Sequence, residues 1–453
     1  MRTLIVGFVI LFSSILYAQQ SHFDVAVTMK NKGLEELLAY EMLKDLTSNV
    51  GTRLSGSEGY EKAVVWGKRA LEQAGADSVW LEPVIVPKWV RGNIEQASAS
   101  AGSSRMELTI CALGGSVGTP KNGISGEVIE VNSFDEVKEL GVKAKGKIIF
   151  YNRPFDRTKV NTGEAYGGAV NQRGSGAIEA AKVGAVGVLV RSMTNAIDDV
   201  PHTGAMRYLD SIPKIPAAAI STIDANTLSD LLKKEKSVVV TLQLSAKIYP
   251  DVQSFNVVGE IKGLEYPREI VLVGGHLDSW DKGTGAHDDG SGVVQSIETV
   301  RLIKTLNVVP KRTIRVVLFA NEENGLKGAR AYAAREQGKK EKHIAAIESD
   351  AGGFLPRGFG VTSDSLRFVK IKSYSNLLEI VGAEKIQRGG GGADIGPLES
   401  FGTALIGLSP ESQRYFDYHH SNHDTIDKVH PRELELGAIA MAILSWAIAQ
   451  DGL

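Results

Sequence analysis

The chain has 453 residues, 43% of them hydrophobic and 23% charged, which is enough apolar material for a large globular core. Lysines and arginines (51) nearly balance aspartates and glutamates (53), the net charge is −2, and no basic block appears, so nothing points to a nucleic-acid partner. The single cysteine, Cys111, excludes an internal disulfide and lies in an apolar stretch, where it reads as inert packing.

The chain opens with MRTLIVGFVILFSSILYAQQ: a basic Arg2, an apolar run, and small Ala18 before Gln19. That is the pattern of a secretory signal over residues 1–18, cut after Ala18; an uncleaved anchor is the alternative. A secreted or periplasmic protein is therefore expected, with no membrane attachment after signal removal. The lack of an Asn-x-Ser/Thr sequon mildly favours a bacterial-type envelope. No later segment reads as a bilayer span, and AIAMAILSWAIA (438–449) suits a buried helix better.

Three textures follow. Residues 33–77 carry two amphipathic helical patterns, LEELLAYEMLKDL and EKAVVWGKRALEQAG. Residues 112–247 hold short, glycine-bounded β signals such as GEVIEV, GKIIFYN, GAVGVLVR and SVVVTLQL, with one clear helix, GAIEAAKVGA. Beyond Asp251, buried strands alternate with helices, which predicts an α/β fold with a mixed, mostly parallel sheet sandwiched by helices. The expected division is a catalytic part over 19–111, an insert over 112–247, and the rest of the catalytic part over 248–453. The insert should form a separate lobe that shapes access to the site without supplying a metal ligand.

The chemistry sits where such a sheet places it, just beyond the carboxyl ends of strands. His276 follows REIVLVGG and opens HLDSWDKGTGAHDDGSG; Glu322 and Glu323 follow TIRVVLFAN; Asp350 follows HIAAIES. Neutral imidazole, a carboxylate able to bridge two ions and one carboxylate left free as a base are what a two-metal hydrolase requires. The nitrogen and oxygen donor set suits zinc and is compatible with cobalt or manganese. Bland rivals exist. Asp278, Asp281 and Asp289 could be solvated loop acids, and Asp281 is read that way; Glu322 could merely open the next helix.

Together the stations GGHLDSWDKGTGAHDDGSG, NEENG, ESDAGG and YHHSNHDT resemble those of the co-catalytic zinc exopeptidases, a family that includes aminopeptidase S and carboxypeptidase Q. The resemblance is to the carboxypeptidase Q branch and covers the chain after the signal. It implies two Zn2+ per subunit, with Asp288 bridging them, His276 and Asp350 completing one site, and Glu323 and His420 the other. It also implies Glu322 as general base, Asp278 orienting His276, a cis bond after Asp288, and an insert similar to a protease-associated domain. Asp424-Thr425 selects His420 as the ligand, leaving His423 as a local hydrogen-bonding residue and His419 as a possible oxyanion contact. RGGGGAD (388–394) reads as a mobile loop requiring positive φ, from which Arg388 or Asp394 could meet a peptide terminus.

The implied activity is hydrolysis of dipeptides or short peptides by an exported homodimer, whether as aminopeptidase, carboxypeptidase or dipeptidase. A single-zinc glutaminyl cyclase-like transferase and a non-catalytic receptor-like relative are the alternatives.

Overall fold

A computed structural model describes residues 22–453, so the signal segment and the cleavage point at Ala18 lie outside the described residues. The strands fall into two eight-stranded sheets. In the first, Arg312–Phe319, Tyr266–His276, Lys342–Glu348 and Ala404–Pro410 run parallel in that spatial order. Long antiparallel strands Lys247–Ile261 and Ser78–Val90 extend one edge, while Pro356–Thr362 and Lys385–Arg388 extend the other. The sheet is thus the mixed, mostly parallel one that the alternating pattern implies.

Its central strands are apolar on both faces because both faces are covered. Val271, Val273, Ile314 and Val316 pack into one core with helices Ser291–Thr305, Pro431–Asp451, Glu58–Gln73 and His22–Glu36. The intervening Leu272 and Val317 face the opposite side, against Ala329 and Tyr332 of helix Lys327–Glu336 and Leu398. Period-two alternation therefore feeds two separate cores. Against the expectation that no segment past the signal is long and apolar enough to span a bilayer, the 21-residue C-terminal helix is; 83% of its apolar window is buried, as the buried-helix reading expects, and it packs against Ser291–Thr305 and His22–Glu36.

The second sheet builds a lobe whose strands lie between Glu95 and Leu244, and one of its cores also takes in Leu54, Trp89 and Trp280 from the flanking segments. Two corrections follow. Glu95–Ala101 and Ser104–Leu108 pair within this sheet, so the lobe begins before residue 112. It is also more α/β than its β signals suggest: Ile124–Val131, Ile148–Tyr151, Gly187–Arg191 and Ala217–Ile220 run parallel, with helices Phe134–Leu140, Asn171–Lys182 and Thr222–Lys234 alongside. Cys111 is fully buried in this lobe's core, and burial pushes its thiol up to about 12, which makes it inert.

Candidate active site

Three parallel strands of the first sheet end side by side, and their ends deliver His276, Glu322 with Glu323, and Asp350 to one edge. Asp288 enters from the loop before helix Ser291–Thr305, and His420 from the segment after Tyr415–Tyr418. The Asp288–Asp289 bond is cis, as the resemblance implies.

The two oxygens of Asp288 face different partners. His276 Nε2 lies 3.3 Å from Asp288 Oδ1 and 3.4 Å from Asp350 Oδ1. His420 Nε2 lies 3.2 Å from Asp288 Oδ2 and 3.1 Å from Glu323 Oε2. Each cluster thus gathers one imidazole nitrogen and two carboxylates, and Asp288 belongs to both. His419 Nε2, 3.7 Å from Asp288 Oδ2, offers a further nitrogen on the second side. His276 Nε2 and Asp288 Oδ2 are buried with no hydrogen-bond partner, which suits atoms built to bind cations. The donor set of each cluster suits a divalent cation such as zinc.

The surrounding polar contacts hold these donors in place. His276 Nδ1 lies 3.0 Å from the backbone carbonyl of Asp278 but 3.7 Å from its carboxylate. Asp278 thus orients the ring through its other nitrogen, as expected, and does so with its backbone carbonyl, while its carboxylate accepts the Glu322 and Glu323 amides at 3.0 and 3.4 Å. Asn321 just before them adopts φ 65°, a left-handed turn held by a bond from the Lys327 amide to its side chain. Buried Asp424 accepts the His287 and Asp288 amides at 2.7 and 3.1 Å and so fixes the bridging residue's backbone. Arg53, wholly buried, donates to the carbonyls of Leu277, Thr284 and Gly285 and ties down the loop between His276 and Asp288. Arg53 carries no motif, and sequence reasoning missed it.

Asp281, read as a solvated loop acid, is engaged instead, and so is Asp289, for which that was a rival reading. Asp281 forms a two-pronged ion pair with buried Arg91 at 2.6 and 2.9 Å, and Arg91, in the segment leading into the lobe, also donates to the lobe's Thr203 hydroxyl at 3.1 Å, which ties the site loop to the second lobe. Asp289 is buried and accepts the His276 and Gly292 amides, each at 3.0 Å. Of the C-terminal histidines, His420 faces the cluster and His423 is exposed and bonds locally, as expected, whereas His419 stacks on His420 at 3.5 Å.

The glycine loop is only partly as anticipated. Gly389, Gly390 and Gly391 adopt φ of 86°, 100° and 134°, but the loop is pinned by Gly389 N to Val361 O and Thr362 Oγ1 to Gly390 O. Arg388 does not reach the site; it is exposed, 4.3 Å over the Phe368 ring and bonded to Ser365. Asp394 is buried with both carboxylate oxygens unpartnered, and it does not line the substrate cavity either.

That cavity, of about 290 Å³, is walled by Asp288, Glu322, Glu323, Asp350, Tyr415, Phe416, His419 and His420, and also by Tyr166 and Arg173 from the second lobe. Arg173 donates to the Tyr166 hydroxyl at 2.6 Å, while its Nη1 lies 3.3 Å from His420 Nδ1 and 3.4 Å from the Thr203 carbonyl. The Thr203 amide in turn donates to the His420 carbonyl at 2.9 Å, which supports that residue's left-handed φ of 61°. Among the described residues, the two donor clusters draw no side chain from the lobe, which walls the cavity and braces His420.

A model of peptidase family M28 matches residues 256–446. Carboxypeptidase Q of Bos taurus is 39% identical over 94% of this chain and 89% of its own; the Mus musculus counterpart is 41% identical over 91% and 85%. The chain belongs to peptidase family M28. A peptidase M28 precursor from Shewanella amazonensis superposes with a TM-score of 0.91 at 36% identity, covering 95% of this chain and 97% of that one. A zinc aminopeptidase from Bacillus subtilis shares the fold at TM-score 0.64 and 20% identity. This M28 protein is accordingly a metallopeptidase, and the strand-end residues above are its candidate metal and proton-transfer groups.

Burial and mutual repulsion move the site's carboxyl groups from their ordinary values. Burial, reinforced by Asp350, Asp278 and Asp288, pushes Glu322 up to about 8 despite the opposing pull of His276. Burial likewise pushes Asp424 and Glu348 up to about 7. For His276 burial pulls down, but Asp350 and Asp288 overcome it and hold the ring above its ordinary value. All four groups favour their protonated forms, so their contribution to stability is complete below the ordinary carboxyl range and is lost as pH rises through about 7 and 8. Five buried histidines, His202, His287, His343, His419 and His420, act the other way, since burial holds each below the ordinary imidazole value and their contribution is lost as pH falls. The ligands bind zinc deprotonated, so zinc should raise the melting point more at pH 8 than at pH 5.5. Differential scanning calorimetry with and without chelator checks this; an equal or smaller rise at pH 8 would refute the account.

Proposed function

We propose that this M28 metallopeptidase is an exported di-zinc exopeptidase acting on dipeptides and other very short peptides. The observation that carries the reading is the pair of donor clusters sharing the two oxygens of Asp288. Zinc bound there supplies Lewis-acid polarisation of the scissile carbonyl and acidifies water. Glu322, half-buried and outside both donor triads, takes a proton from the attacking water and passes it to the leaving amine. Buried surroundings that raise its proton affinity suit a group that must accept and then release a proton. The second donor cluster speaks against a single-zinc transferase, and retention of the base and ligands speaks against a non-catalytic relative.

Substrate length follows from the cavity. Its volume of about 290 Å³ lies at the small end for ligand pockets, and the second lobe closes one side with Tyr166 and Arg173. Folded proteins have no access to such a site. Arg173 is the one arginine or lysine lining the cavity among the described residues, and it stands beside His420. A free α-carboxylate sits one residue, roughly 3.5 Å, beyond the scissile carbonyl of a dipeptide, a span suited to this neighbourhood. Arg173→Gln is expected to raise KM for free dipeptides about tenfold more than for the matching dipeptide amides. An equal effect on both would dissociate Arg173 from the carboxylate.

The deciding experiment is a screen of free dipeptides against end-blocked and longer peptides, in chelator and with zinc restored. Cleavage of free dipeptides, abolished by chelation and recovered with zinc, is the expected result; efficient cleavage at internal bonds of a long unstructured protein would overturn the reading. We further expect a homodimer in solution and a mature chain beginning at Gln19, the latter checked by N-terminal sequencing of exported protein. Recovery of intact Met1 would restore the anchor alternative.

A further inference from the structure

The second lobe carries a crevice that the peptidase reading does not use. Ile148–Tyr151 and Gly187–Arg191 are adjacent parallel strands, and Arg153 and Arg191 stand at their carboxyl ends. That is where open α/β sheets hold their ligands. The crevice there encloses about 660 Å³, and three arginines line it: Arg153, Arg157 and Arg191. It lies across helix Thr162–Ala169 from the metal edge. Ala165 and Gly168 of that helix face the crevice, while Tyr166 faces the peptidase cavity and stacks on Phe416 at 4.7 Å.

The charge is what needs explaining. Arg191 is 8% exposed, and its Nη1 meets only the amide oxygens of Asn152 and Asn226, at 3.2 and 2.8 Å. Arg153 binds Asn171 and the Ala169 carbonyl, and its Nε is buried without a partner. Arg157 donates to the Asn195 carbonyl at 2.9 Å and is otherwise exposed. Among the described residues, none of the three makes an ion pair. Asp156, the one acid lining the crevice, takes the amide and hydroxyl of Thr158 on Oδ1 at 3.0 and 2.7 Å and pairs with none of the arginines, so three guanidiniums stand against one carboxylate. Glu130 lies behind Asn152 and is taken up by Asn152 and Ser229. Burial, with Arg157 adding to it, holds the Arg191 guanidinium below its ordinary value, the direction expected for neighbouring cations that lack a counter-charge.

Neutral hydrogen-bond partners orient these guanidiniums without neutralising them, so their planar donor edges remain suited to an oxyanion. Phe155 and Ile197 add apolar wall for a short carbon skeleton. We propose that this crevice is a binding site for a small dianionic oxyanion, a dicarboxylate or a phosphate monoester, distinct from the metal edge. The arginines grip its charged ends, and Phe155 and Ile197 cover its carbon chain.

Isothermal titration calorimetry on the zinc-loaded protein tests this with three probes: succinate, glycerol 3-phosphate, and uncharged glycerol. At least one dianion should bind with one site per chain and glycerol should not; which dianion binds tells the two headgroups apart. Arg157→Gln changes an exposed loop side chain, so the fold should survive it, and it should weaken binding about tenfold through one lost charge-assisted contact. Arg191→Gln should weaken binding at least as much. Arg207→Gln, an exposed arginine of the same lobe that bonds Ser175, should leave affinity within about twofold and serves as the control for general charge attraction. The proposal fails if neither dianion binds. It also fails if the affinity survives Arg157→Gln and Arg191→Gln, which would place the anion at the zinc edge, or if Arg207→Gln weakens it equally.

Discussion

Replacing Glu322 with glutamine is expected to cut turnover by about 10³- to 10⁴-fold while leaving the metal content unchanged. The reason is positional. Glu322 lines the cavity beside Asp288 and Asp350 but takes no part in either donor triad, whose members are His276, Asp288 and Asp350 on one side and Asp288, Glu323 and His420 on the other. Its backbone amide is held by Asp278 Oδ1 at 3.0 Å, a contact that glutamine preserves. The substitution therefore removes proton acceptance and little else. KM should change by no more than a few-fold, since the loss falls on the chemical step. Glu323→Gln makes the contrast, because it touches a donor 3.1 Å from His420 and should reduce metal occupancy as well as rate. Stopped assays on free dipeptide alongside elemental analysis of the same samples provide the check. Substantial activity in fully metallated Glu322→Gln would remove the base assignment.

Much of this candidate site was legible because His276, Glu322, Glu323 and Asp350 stand at strand ends, and strand ends can be read from apolar runs. REIVLVGG stops at His276, TIRVVLFAN at Glu322 and HIAAIES at Asp350, and the parallel pairing of these three strands brings the stops to one edge. What stayed hidden depends on atoms rather than residue types. A motif cannot distinguish the carbonyl of Asp278 from its carboxylate, yet the 3.0 Å contact to His276 uses the carbonyl. Contacts between lobes were also beyond reach. Arg173, Thr203 and Arg91 are far in sequence from the residues they meet, and nothing local marks them as partners of His420 or Asp281. Arg388 failed for the converse reason: proximity to the motifs in sequence suggested a role, but Phe368 and Ser365 hold it on the surface. The lobe boundary was set too late because EQASASA and SRMEL are too short and polar to declare which sheet they join.

Asp288→Ala should strip the protein of nearly all bound zinc, whereas His276→Ala and His420→Ala should each retain about one ion per chain. The distinction rests on the two oxygens of one carboxylate. Oδ1 stands 3.3 Å from His276 and Oδ2 3.2 Å from His420, so alanine at this position removes a donor from both clusters together. Either histidine, by contrast, serves one cluster alone. Loss of the shared anion also leaves two cations facing each other at short range with less negative charge between them, which penalises double occupancy beyond the missing bonds. The backbone should tolerate the change, since the Asp288 amide is held by Asp424 at 3.1 Å independently of the side chain. Asp288→Asn keeps the shape and one oxygen acceptor, and it should fall between the extremes, binding metal weakly on the side its oxygen faces. Inductively coupled plasma measurements on variants dialysed against the same zinc buffer would rank them. If Asp288→Ala and the two histidine variants lose zinc equally, Asp288 is an ordinary ligand of a single ion, and the paired clusters are an accident of packing.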